Sequence, residues 1–204
     1  MSLTPTGARE LSNRLAGSDP EQALAIARGI EEPWFRCQAL SHVARYWPHD
    51  DYQSLIKEAV KAADSQGDPY KRVTVSAWPI RAYLERGSAT PAKTLLERQA
   101  REAANIENMG SRSEALFMLF QAAKPFAEAI WRPVFWTLVE ATEPALAWRQ
   151  RRNLRLAVMM IASDGPALVQ KALAKLSDGK TISAIKRDVE NRKRAEPRPF
   201  FWLA

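Results

Sequence analysis

The sequence predicts an all-α fold: a right-handed α-α superhelix, or solenoid, of about four helix pairs with terminal capping helices, in one domain over residues 1–204. Three observations predict it. Apolar residues recur at helical spacing nearly end to end, no stretch alternates with the period of two that a half-buried strand needs, and a helix-turn-helix outline returns about every forty residues. One helix pair cannot bury both sides of its apolar stripe, so neighbouring pairs stack and share a continuous core.

The elements follow in order. After a short N-terminal helix, Asp19-Pro20 supplies a cap followed by proline at the first helical position, and Leu24, Ala27 and Ile30 then fall on one stripe. Pro33 opens a second helix whose Leu40, Val43, Ala44 and Trp47 keep the spacing until Pro48, completing a first unit over about 20–47. The second unit, 51–86, carries Leu55, Ile56, Ala59 and Ala63, turns at Gly67-Asp68-Pro69, and holds Pro79 within its second helix, where a kink near Trp78-Pro79 is expected. A third unit, 91–123, turns through Asn108-Met109-Gly110. The fourth, 133–163, turns at Glu143-Pro144 and is followed by closing helices over 166–194 and an aromatic tail over 195–204.

Arginines set the register. Arg36, Arg72, Arg112 and Arg152 lie 36, 40 and 40 residues apart, each near the start of its unit's second helix, and Ala27, Ala63 and Ala103 stand nine residues before the first three. Four residues after the arginines come Leu40, Ser76, Leu116 and Leu156, and seven after them Val43, Pro79, Leu119 and Met159. In the fourth unit Glu143 occupies the alanine position, and Arg149 or Arg151 could equally take the place of Arg152.

The stripe ALAIARGI, the turns EEP and GDP, and the Arg-x-x-x-Leu/Ser opening of the second helix resemble HEAT-like helical repeats over about residues 20–163. The resemblance implies that Arg36, Arg72 and Arg112 are structural, each pairing with an acidic group of the adjoining turn or repeat, with Glu31, Glu32 and Asp68 as partners. HEAT-like folds include DNA glycosylases for alkylated bases; Trp136, Glu140, Glu143 and Trp148 match those only in residue type.

The net charge of +7 is uneven. Residues 1–144 carry 17 Lys/Arg against 18 Asp/Glu, and residues 145–204 carry 13 against 5. That asymmetry points to a localised anionic partner. Its first cluster is WRQRRNLR, with Arg149, Arg151, Arg152 and Arg155; its second is Lys186, Arg187, Arg192, Lys193 and Arg194. Trp131, Trp136 and Trp148 stand before or at the first cluster as candidate aromatic contacts, whereas Trp34, Trp47 and Trp78 fit packing beside the repeat stripe. Phe200, Phe201 and Trp202 form a tail that either caps the last repeat or docks into a partner.

Chemistry-bearing motifs are sparse. His42 and His49 read as surface histidines, Cys37 as a small buried side chain, and no HExxH, Cys-x-x-Cys, glycine-rich phosphate loop or GxSxG is present. No metal, cofactor or catalytic residue is therefore assigned. The longest apolar run, LAVMMIA, falls well short of the ~20 residues of a membrane span, and the N-terminus has no apolar signal segment, so a cytoplasmic location is expected. The expected function is a non-enzymatic binding or scaffold module for a protein partner; the alternative is nucleic-acid binding through the basic C-terminal third.

Overall fold

The computed structural model describes residues 3–191, and among them every regular element is a helix. The chain forms two compact units, Met1–Gln99 and Ala100–Ala204. The candidate contact residues Arg192, Lys193, Arg194, Phe200, Phe201 and Trp202 lie outside the described residues.

In the first unit, α1 (Pro5–Leu15) packs on α2 (Pro20–Arg28) and α3 (Pro33–Tyr46), while α4 (Tyr52–Asp64) packs on α3 and on α6 (Ala77–Glu85), which follows α5 (Pro69–Val75). α1, α2, α3 and α5 each begin with proline, whose fixed φ suits a position where no amide donor is needed. Thr4, Asp19 and Asp68 cap α1, α2 and α5 by accepting backbone N–H bonds. Just past its C-cap Arg86, α6 is closed by Gly87, whose φ of 74° lets Ser88 N–H reach the Tyr83 carbonyl, a closure that disfavours any residue with a Cβ. Leu40, Val43, Leu55, Ile56 and Ile80 fill the core between these helices.

α7 (Ala89–Glu102) spans the boundary at Gln99 and runs into a 3-10 turn at Ala103–Asn105. In the second unit, α8 (Met109–Ala123) packs on α9 (Glu128–Ala141) and α10 (Trp148–Ile161); α10 also packs on α11 (Pro166–Leu173) and α12 (Gly179–Glu190). Phe120, Trp131 and Phe135 form an aromatic cluster at its centre, with ring centroids 5.5 to 6.4 Å apart.

Polar contacts join helices that lie 30 to 40 residues apart in the chain. Arg28 pairs with Glu58 across α2 and α4 at 2.6 Å, and Arg98 with Asp64 across α7 and α4 at 2.9 Å. Arg45 of α3 pairs with Glu85 of α6. In the second unit Arg152 of α10 pairs with Glu114 of α8 at 2.6 Å, and the buried Asn153 amide donates to Ser113 Oγ at 3.1 Å.

Two local expectations change. The break in the second pair lies at Ser76, two to three residues before the expected Trp78-Pro79 kink. Pro79 has no N–H for the Val75 carbonyl and its ring crowds that carbonyl, so the helix parts there, and the freed Val75 oxygen faces the Cys37 Sγ at 3.6 Å. His42 is a buried residue of α3, not a surface one, because its helix is enclosed by α1, α4 and α6. Burial, with the Arg45 charge second, lowers its pKa to about 4. Cys37 is buried, and desolvation pushes its thiol up.

Candidate binding groove

Four arginines occupy the same place in four helices. Arg36, Arg72, Arg112 and Arg151 each donate the backbone N–H to the N-cap carbonyl of their helix: Glu32, Asp68, Asn108 and Ala147. Each side chain then turns back to the carbonyl six residues upstream. Arg36 reaches Ile30 at 3.4 Å, Arg72 reaches Gln66 at 2.8 Å, Arg112 reaches Ile106 at 2.9 Å and Arg151 reaches Ala145 at 3.5 Å. For Arg36 and Arg112 the partner is thus a loop carbonyl instead of the expected carboxylate. The loop leaving a helix has carbonyls that no intrahelical donor serves, and a guanidinium one turn into the next helix spans the gap.

The fourth member is Arg151, one residue before Arg152. With that register Thr142, fully buried, stands nine residues upstream like Ala27, Ala63 and Ala103, and the irregularity at Glu143 disappears. Val158, fully buried, takes the core position seven residues downstream. Leu156 and Met159, which the Arg152 register makes core residues, are instead half-buried and line a groove.

This groove runs between α10 and α12 and encloses about 650 Å³. α10 contributes Trp148, Arg151, Arg152, Arg155, Leu156 and Met159, spaced so that one helix face looks across to Lys180, Thr181, Ala184 and Asp188 of α12. A second depression, bounded by Ala145, Leu146, Asp178 and Ser183, shares Arg151 and Lys180 with it. Trp148 is 62% exposed and Leu146 72% exposed at the rim. The Arg152 guanidinium carbon lies 5.1 Å from the Trp148 ring centroid, and that of Arg149 lies 5.8 Å away.

Most of the positive charge here is already matched. Arg152 meets Glu114, and Arg155 directs Nε and Nη2 at one Asp188 oxygen at 3.1 and 2.6 Å. Arg151, which lines the groove, spends Nη1 on the Ala145 and Leu146 carbonyls, and its Nε and Nη2 make no hydrogen bond among the described residues. Asp178 caps α12; the Thr181 hydroxyl bond, helped by the Lys180 and Thr181 amides and the Arg151 charge, holds its carboxyl below the usual range. The Lys180 ammonium is exposed and makes no ion pair among the described residues.

Of the other predicted contacts, Trp131 is 2% exposed within the aromatic cluster and cannot meet a partner. Trp136 lies against Lys171 and Lys175 of the α11 region, their ammonium groups 5.3 and 5.8 Å from its ring centroid, away from the groove lining. Lys186 and Arg187 are exposed on α12 but do not line the groove. Sequence reasoning missed Leu146, Lys180 and Asp188. The four-residue spacing of Lys180, Ala184 and Asp188 was a legible signal for one α12 face; its apposition to α10 was not. No group of three His, Cys, Asp or Glu able to hold a metal occurs among the described residues. No protein-family model, curated protein or solved structure matches this chain.

Proposed function

We propose that the helix pairs of each unit are HEAT-like repeats and that the chain is a non-enzymatic binding module whose α10–α12 groove recognises a protein partner. The observation that carries this reading is the pairing of an open, partly apolar groove with an exposed tryptophan at its rim. Tryptophan and arginine are enriched among the residues that dominate protein interfaces, and an indole left 62% exposed buries little of its surface in the fold.

Support for a protein partner over a nucleic acid comes from charge. A phosphate backbone is held by several cations free to displace counterions, and here Arg152 and Arg155 are matched by Glu114 and Asp188 while Arg151 is anchored to carbonyls. The exposed Lys186 and Arg187, with the half-buried Arg149, are the cations that the nucleic-acid alternative would use. Among the described residues no helix is long and apolar enough to cross a membrane.

Photo-crosslinking tests the reading. A benzophenone side chain at Trp148 should yield a discrete protein adduct in extract of the source cells, and the same group at the exposed Tyr46 of the first unit should not. Fluorescence anisotropy with duplex and single-stranded DNA at two salt concentrations gives the counter-test. Steeply salt-dependent binding to DNA, with no adduct at position 148, would replace the protein reading with the nucleic-acid one.

A further inference from the structure

We infer that the α10–α12 groove takes an acidic peptide segment in which an aromatic or aliphatic side chain stands next to carboxylates. This rests on the binding-module reading and adds the chemistry of the ligand. Three features of the groove define it.

The first is an apolar floor with an aromatic wall. Leu156 and Met159 of α10 remain half-buried and line the groove with Trp148, and the flexible thioether of methionine adapts to side chains of different shape. A ring or branched chain placed there removes the indole face from water.

The second is an oriented donor. Arg151 is fixed through Nη1 by the Leu146 carbonyl at 2.9 Å, so its outer edge is held in place before any ligand arrives. A guanidinium edge presents two parallel N–H bonds that match the two oxygens of a carboxylate, and little side-chain entropy is left to lose on binding. Lys180 borders both depressions with Arg151 and has an unmatched ammonium, which provides a second point of attraction at the same end.

The third is a limit on charge. Asp188 and Asp178 border the groove beside its cations, so a ligand with an unbroken row of anions meets repulsion after the first contacts. One or two carboxylates beside an apolar group satisfy Arg151 and Lys180 without confronting Asp188, and Asp178 at that end is already engaged by the Thr181 hydroxyl and the Lys180 and Thr181 amides. A polyphosphate chain does not.

The test uses the full chain and three fluorescein-labelled probes: a glutamate–tyrosine copolymer, polyglutamate of similar length, and single-stranded DNA. The copolymer should bind at least about tenfold more tightly than polyglutamate or DNA at physiological salt, and Trp148→Ala and Lys180→Glu should each weaken it about tenfold. Lys180 lies in the first turn of α12, where a carboxylate favours the helix dipole, so loss of binding in Lys180→Glu with an unchanged far-UV circular dichroism melt reports the groove and not unfolding. Equal binding of copolymer and polyglutamate, preferred binding of DNA, or indifference to both substitutions overturns the inference. A protein adduct at position 148 alongside any of those results leaves the binding-module reading standing and sinks only the ligand chemistry.

Discussion

Arg112 holds the loop that precedes its own helix: Nε donates to the Ile106 carbonyl at 2.9 Å and Nη2 to the Ala104 carbonyl at 3.2 Å. The same reach, six residues back, recurs at Arg36, Arg72 and Arg151. The device locks the angle between the two helices of a pair by binding the second helix to the exit of the first. At Arg112 the forked guanidinium serves two carbonyls at different depths, which a single ammonium could not do.

Arg112→Ala should therefore destabilise the protein by about 2 kcal/mol, the scale of charge-assisted hydrogen bonds to groups left without another donor. Arg112→Lys should recover less than half of that, because a single ammonium cannot serve both carbonyls. Arg36→Ala, which loses one 3.4 Å contact, should cost less than about 1 kcal/mol. Urea unfolding midpoints of the three variants, at unchanged m value, check the order. Equal losses at positions 36 and 112 would refute the geometric account.

His42 gives a pH dependence of defined sign. Its folded pKa of about 4 lies below the ordinary 6.5, so between those values the unfolded chain takes up a proton that the folded protein excludes. Stability is thus full above about pH 6.5 and is lost as pH falls towards 4, by at most about 3 kcal/mol from this group. Thermal melts of the wild type and of His42→Gln between pH 4 and 7 should differ in slope over that window, with the variant flatter. Parallel curves would show that other groups govern the acid limb.

Cys37 should be inert in the native state. Its thiol is fully buried and its pKa is raised by desolvation, so thiolate is scarce and reagents have no access. A disulfide-exchange reagent should react with the folded protein only as fast as it opens, and promptly in denaturant. Rapid native reaction would contradict the placement of α3.

The ion pairs should rank by exposure. Arg155–Asp188, whose carboxylate side chain is only 13% exposed, should show a coupling of about 1 kcal/mol in a double-mutant cycle. Arg28–Glu58, with side chains 52% and 40% exposed, should give no more than about 0.5 kcal/mol. Salt should diminish the second more than the first. Thermal unfolding of the two cycles at low and high salt provides the comparison.

Much of the helix pattern was legible in the chain, because proline starts, Asp and Asn caps and apolar spacing are local properties. Asp19-Pro20, Pro33 and Asp68-Pro69 mark α2, α3 and α5 where the structure has them. The site was less legible. Trp131 and Trp148 both neighbour basic residues in sequence, yet one is sealed in an aromatic cluster and the other stands in solvent. Leu156 and Met159 looked like core because a one-residue shift in the arginine register turns a helix by about 100 degrees, enough to exchange inner and outer faces.

What the sequence determined by itself is the all-α class, most of the helix starts and the arginine in the first turn of α3, α5 and α8, since these depend on caps, spacing and residue type over a few turns. Tertiary structure alone decided that Arg151 and not Arg152 completes the set, that Asp188 and Glu114 neutralise its neighbours, and that Lys180 faces Trp148 across a groove. The reason is physical. Which carbonyl or carboxylate a guanidinium finds, and which indole keeps its solvent, depend on how α8, α10 and α12 pack across gaps of thirty to forty residues that no local pattern spans.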